Sequence, residues 1–97
     1  MTRFRTAREM RIEDINLVLA ESADDVRFTE DHDDGYDVDV RSPLGMTRVI
    51  TVLVDAGAEI VLEPEDCGCD YDGPGLRAIV RFDGDPISVW WWERAAR

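Results

Sequence analysis

Few residues in this chain have types and spacing suited to chemistry. Cys67 and Cys69 flank one glycine and could offer two thiolates to a soft metal. Structural zinc is normally four-coordinate and favours two to four residues between paired cysteines. Only His32, Asp66, Asp70 and Asp72 remain as further donors, so Cys67 and Cys69 are weak metal candidates and no cofactor is expected. A disulfide between them would close a very small, strained ring.

Asp31-His32-Asp33-Asp34-Gly35 and Asp70-Tyr71-Asp72-Gly73 resemble calcium loops at first sight. Taking Glu30 as the first loop position puts Gly35 sixth, as required, but Arg41 falls where a bidentate glutamate belongs. His32 is the single histidine, set in an acidic turn where it reads as a solvated group. There is no serine-nucleophile motif and no glycine-rich phosphate loop, so a non-enzymatic role is expected.

Two other features stand out. The chain has 22 carboxylates, 11 arginines and no lysine, for a formal net charge of −11 on 97 residues. Glu21 to Asp39 holds nine acids against Arg27 alone, and Asp55 to Asp72 holds seven acids and no base. Such a surface repels nucleic acid and anionic membranes and attracts basic protein surfaces. A GC-rich or high-salt host would also produce an acidic, lysine-poor composition. The second feature is Trp90-Trp91-Trp92. Consecutive strand residues alternate faces, so Trp91 and the Trp90/Trp92 pair must lie on opposite sides. With Ile87 and Val89 in the core, Trp90 and Trp92 become interface candidates. Alternatively, Arg77 and Arg81 stack over these outer indoles.

The elements that would position these residues follow from periodicity and punctuation. Thr6-Ala7-Arg8-Glu9 fits a capping box, and Ile12, Ile15, Val18 and Leu19 follow at helical spacing, which predicts a helix from about Ala7 to Ala20, ending near Ser22. Val26 and Phe28, then Tyr36, Val38 and Val40, alternate with polar residues and predict a hairpin with one buried face. Ser42-Pro43 opens a second helix, and Gly57 closes it. Its β-branched run, Val49 to Val54, would also suit a strand. Glu59 to Glu63 reads as a short strand, and Pro64 to Gly75 as a breaker-rich loop. Leu76, Ala78, Val80 and Phe82, the Asp83-Gly84 turn, and Ile87, Val89 and Trp91 complete a last hairpin. Pro86 places its second strand at a sheet edge, or just before its pairing begins.

The expected architecture is α+β: two helices packed on a mostly antiparallel sheet, in the order helix, hairpin, helix, strand, hairpin. Residues 1–97 form a single small acidic domain in this reading. The arginine-bearing start lacks the apolar segment of a secretory signal, and no run is long and apolar enough for a membrane, so a cytoplasmic location is expected.

These readings converge on a binding protein that occupies a basic, nucleic-acid-binding surface of a protein partner. Its sharpest form is a nucleic-acid mimic, such as a mobile-element-encoded anti-defence or anti-CRISPR inhibitor. The expected contact residues are Glu30, Asp31, Asp33, Asp34, Asp37, Asp39, Glu63, Glu65, Asp66, Asp70, Asp72, Trp90 and Trp92. Direct nucleic-acid binding and membrane binding are not expected. The alternatives are a host-adapted assembly module that associates, for instance as a homodimer, through a tryptophan edge strand, and a metal-responsive regulator using Cys67 and Cys69.

Overall fold

The computed structural model describes residues 7–32, 35–66 and 75–93. Two α-helices and a five-stranded mixed sheet make an α+β fold. The chain runs α1 (Ala7–Leu19), a 3₁₀ segment (Ala20–Asp25), β1 (Val26–His32), β2 (Gly35–Val40), α2 (Pro43–Asp55), β3 (Glu59–Asp66), β4 (Gly75–Phe82) and β5 (Asp85–Trp92). The spatial order of strands is β1-β2-β5-β4-β3. Three neighbouring pairs are antiparallel, and β2 and β5 are parallel. That parallel join makes the sheet mixed.

Local chemistry explains α2. The Ser42 hydroxyl accepts a hydrogen bond from the Gly45 amide at 2.9 Å, and Pro43 follows at a position that needs no N–H donor. At the other end, the Ala58 amide donates to the Leu53 carbonyl and the Gly57 amide to that of Val54, both at 2.9 Å. This is a Schellman closure, and it requires the left-handed φ of +109° that Gly57 supplies. The β-branched run is thus helical, because both ends are capped and one stripe of the helix is apolar. Met46, Val49, Ile50 and Leu53 form that stripe and are buried.

One apolar cluster unites the elements. Ile15 and Leu19 of α1 join the α2 stripe over Tyr36, Val38, Val40, Ala78, Val80, Phe82, Ile87 and Val89. Both helices therefore cover the same face of the sheet. The Tyr36 hydroxyl donates to Asn16 Oδ1 at 2.6 Å, and Arg11 pairs with Asp85, pinning α1 across the sheet. Helix α1 ends at Leu19 and tightens into the 3₁₀ segment rather than running past Ala20. Thr6 and the side chain of Glu9, the proposed capping box, lie outside the described residues.

Three strand expectations need correction. Strand β5 lies in the middle of the sheet, not at an edge. Pro86 is tolerated there because it stands opposite Arg81 of β4, while pairing with β2 begins only at Ile87. Strand β1 lacks the expected buried face. Its register slips between Val26 and Phe28, so Val26 sits opposite Val40 but Phe28 sits opposite Asp39. A bulge therefore turns Phe28 to the helix-free side, where it is half exposed with the Arg27 guanidinium 5.9 Å from its ring centre. Finally, Glu65 and Asp66 belong to β3, not to a loop. Strand β3 is an edge, so Pro64 can stand within it without breaking a second ladder.

Candidate functional site: the helix-free face of the sheet

The strand registers define rows of side chains across the face that neither described helix covers. One row reads Phe28, Asp39, Trp90, Arg77 and Glu65, from β1 to β3. The next reads Glu30, Asp37, Ser88, Ile79 and Leu62. The central strand thus presents Ser88, Trp90 and Trp92 outward, while Ile87, Val89 and Trp91 face the helices.

Three contacts organise the middle of this face. Trp90 Nε1 donates to Asp37 Oδ1 at 3.2 Å. Asp37 Oδ2 lies 2.8 Å from His32 Nε2, and Glu30 approaches the same nitrogen at 3.8 Å. On the other side of Trp90, the Arg77 guanidinium sits 4.8 Å from the ring centre. Trp92 stacks on Trp90 with centroids 5.6 Å apart and planes 10° from parallel. Gly75 lies opposite Trp92, and a Cβ there would fall 2.7 Å from the Trp92 ring and 2.8 Å from the Trp91 carbonyl oxygen. The absent side chain is what lets the indole lie over β4. Gly35 plays a similar part at the other end, where a Cβ would meet the Pro86 carbonyl oxygen at 2.5 Å.

The placement of the expected contact residues is uneven. Glu30 and Asp37 come together with Trp90 and Trp92 on the helix-free face. Asp31 is exposed on β1, opposite Tyr36. Asp39 shares the row of Trp90 but is only 7 % exposed, so it is not part of an open acidic surface. Its neighbours in that row are the rings of Phe28 and Trp90. Glu63, Glu65 and Asp66 lie exposed on β3. Asp33, Asp34, Asp70, Asp72, Cys67 and Cys69 lie outside the described residues. Among the described residues the two acidic sets do not merge into one ridge: Glu30 and Asp31 lie on edge strand β1 and Glu63, Glu65 and Asp66 on edge strand β3, four strand spacings or about 19 Å apart. Arg77 and Arg81 of β4 stand between them, opposite Glu65 and Glu59.

Of the two arginines expected over the indoles, Arg77 takes that place, while Arg81 stands opposite Pro86 and is exposed. The one signal that sequence reasoning missed is Phe28, whose bulge adds a third aromatic ring to this face.

A depression lined by His32, Asp37 and Ser88 has the residue types of a nucleophilic triad. There His32 Nε2 lies against Asp37 Oδ2, and Asp37 Oδ1 accepts from Trp90. Among the described residues, no group of three or more His, Cys, Asp or Glu is arranged to hold a metal ion. No helix among them is long and apolar enough to cross a membrane. No protein-family model, curated protein or solved structure matches this chain.

Proposed function

We propose that this protein is a non-enzymatic binding module that docks its helix-free sheet face on a basic surface of a protein partner. That partner surface normally holds nucleic acid, and the module acts by occupying it, as an anti-defence inhibitor would. The observation that carries this reading is the stacked Trp90/Trp92 pair, set at the centre of a face that neither described helix covers, between two acidic edge strands. Tryptophan supplies buried area at an interface, and flanking carboxylates supply orientation and rate of encounter. Two acidic rails about 19 Å apart also offer a basic groove two lines of negative charge, as a duplex does.

The test starts from partners captured out of nuclease-treated host extract. Each is assayed for nucleic-acid binding with and without the protein. Competition is the expected result. A partner that holds nucleic acid equally well in the presence of saturating protein would sink the mimic reading. The chain alone should shift neither duplex nor single-stranded nucleic acid in a gel.

A second reading, an assembly module in an acid-rich host, draws on the same tryptophans. Exposed Glu13, Asp14, Glu21 and Asp24, on α1 and the 3₁₀ segment, lie away from the aromatic face and favour acidity as a general trait. In this version association uses the face of the sheet, because the tryptophan strand is central and has no free edge.

A further inference from the structure

The helix layer carries a feature unrelated to the tryptophan face. The last turns of α1 and α2, with the start of the 3₁₀ segment, wall a groove lined by Leu17, Val18, Glu21, Val52, Asp55 and Ala56. Both walls lie within continuously described stretches, 7–32 and 35–66. Among the described residues, Leu17 is the most exposed large hydrophobic side chain, at 72 %. Its apolar area stays in water, which is unfavourable.

Charge sets this groove apart from the general acidity of the chain. Elsewhere near the helices, acids are matched by arginine: Arg11 pairs with Asp85, and Arg48 with Asp25 at 3.2 Å. Neither α1 nor α2 has a basic residue in its last turn. A helix C-terminus carries partial negative charge and favours a cation there. Here the two C-termini meet Glu21 and Asp55 instead. Both carboxylates are exposed, and among the described residues neither has an ion-pair partner. The groove is an apolar trough with negative charge on each wall.

The walls also decide the backbone of an occupant. Both are helical, with their peptide groups bonded internally along most of their length, so they offer an incoming chain no ladder of donors and acceptors. An extended segment would bury its own N–H and C=O groups unpaired, whereas a helix satisfies them itself. A second copy of this chain would bring like charge, since each copy carries −11.

We infer that this groove is a docking site for a basic amphipathic helix of a partner protein. The helix lays its apolar stripe on Leu17, Val18, Val52 and Ala56 and sets lysine or arginine against Glu21 and Asp55. The site is separate from the tryptophan face and does not depend on what that face binds.

The experiment uses the full chain and two labelled leucine–lysine peptides of equal length and composition. One places leucine at helical spacing, and the other is scrambled to break the stripe. Affinity is read by fluorescence anisotropy at moderate salt, and the site by amide and indole shifts in NMR. The striped peptide should bind about tenfold more tightly than the scramble, with shifts centred on residues 17–21 and 52–56. Leu17→Asp should weaken it about tenfold even though the substitution adds a carboxylate. Leu17→Gln, a better helix former, should act in the same direction and keeps the test open if the aspartate variant does not fold. Glu21→Lys with Asp55→Lys should transfer the preference to a striped leucine–glutamate peptide. Equal affinity for stripe and scramble, undiminished binding by both Leu17 variants, or no binding at all would overturn the inference. Shifts centred on the Trp90 and Trp92 indoles would give the peptide to the tryptophan face, overturning the groove while supporting the docking function. A wild-type dimer that Leu17→Asp dissociates would give the groove to a second copy and overturn the inference.

Discussion

The two faces of β5 are built from alternate residues of one eight-residue strand, yet different forces hold them. On the helix side, Ile87 and Val89 have no exposed surface and Trp91 packs against the same cluster. That face is fixed by close packing. On the other side, Trp90 and Trp92 are half-buried and are fixed by a carboxylate, a guanidinium and each other. The same residue type therefore serves as core filler at one parity and as a prepared surface at the other. A face ordered without a helical cover has its contact groups already in place, so less ordering remains to oppose binding.

The largest effect should come from placing a charge on the packed face. Val89→Asp buries a carboxylate among apolar residues and should abolish the cooperative unfolding transition, whereas Ser88→Thr should stay within about 0.5 kcal/mol of wild type. Equal tolerance would erase the distinction between faces. Next, Trp91→Ala should cost about 2–3 kcal/mol in urea denaturation, and Trp92→Ala about 1 kcal/mol. A reversal would mean that the helix-free face is the more structural one. Trp91 Nε1 is buried without a partner, so Trp91→Phe should cost less than Trp91→Ala by more than ring area alone suggests. Gly75→Ala should cost about 1–2 kcal/mol by displacing Trp92, with a shift in tryptophan emission. The smallest effect belongs to the acidic edge. Glu30→Gln with Asp31→Asn should change stability by less than about 0.5 kcal/mol, because both side chains are exposed. The same pair should lower the salt dependence of partner binding. If stability instead fell by several kcal/mol, the acids would be structural.

Much of the packed face was legible in the sequence. Ser42-Pro43 and Gly57 are local signals whose meaning depends on neighbouring backbone groups, and α2 follows them. The alternation of Leu76 to Phe82 and of Ile87 to Trp91 likewise assigned the inner face of β4 and β5, and Asp83-Gly84 marked their turn. Both turn residues take positive φ, 51° and 85°. The helix-free face was less legible because it depends on which strands meet. Nothing in the local pattern announces that β5 enters between β2 and β4, so Pro86 pointed equally to an edge. The bulge beside Arg27 reverses the meaning of the Val26/Phe28 alternation, since one slipped residue exchanges faces. The acidic stretches, continuous only along the chain, are separated by a pairing of distant segments.

The parallel pairing of β2 with β5 also sets the order in which the molecule can be completed. Hairpin β1–β2 and pair β3–β4 are made of earlier chain, and the strand that joins them comes last. During vectorial synthesis, the open edges of β2 and β4 must wait for that strand. Joining β2 to β5 closes a long stretch of chain, which makes it a slow step relative to local hairpins. The dense carboxylates on β1 and β3 then have a second consequence: mutual repulsion between copies keeps the two outer edges, which stay open after β5 arrives, from pairing with another chain.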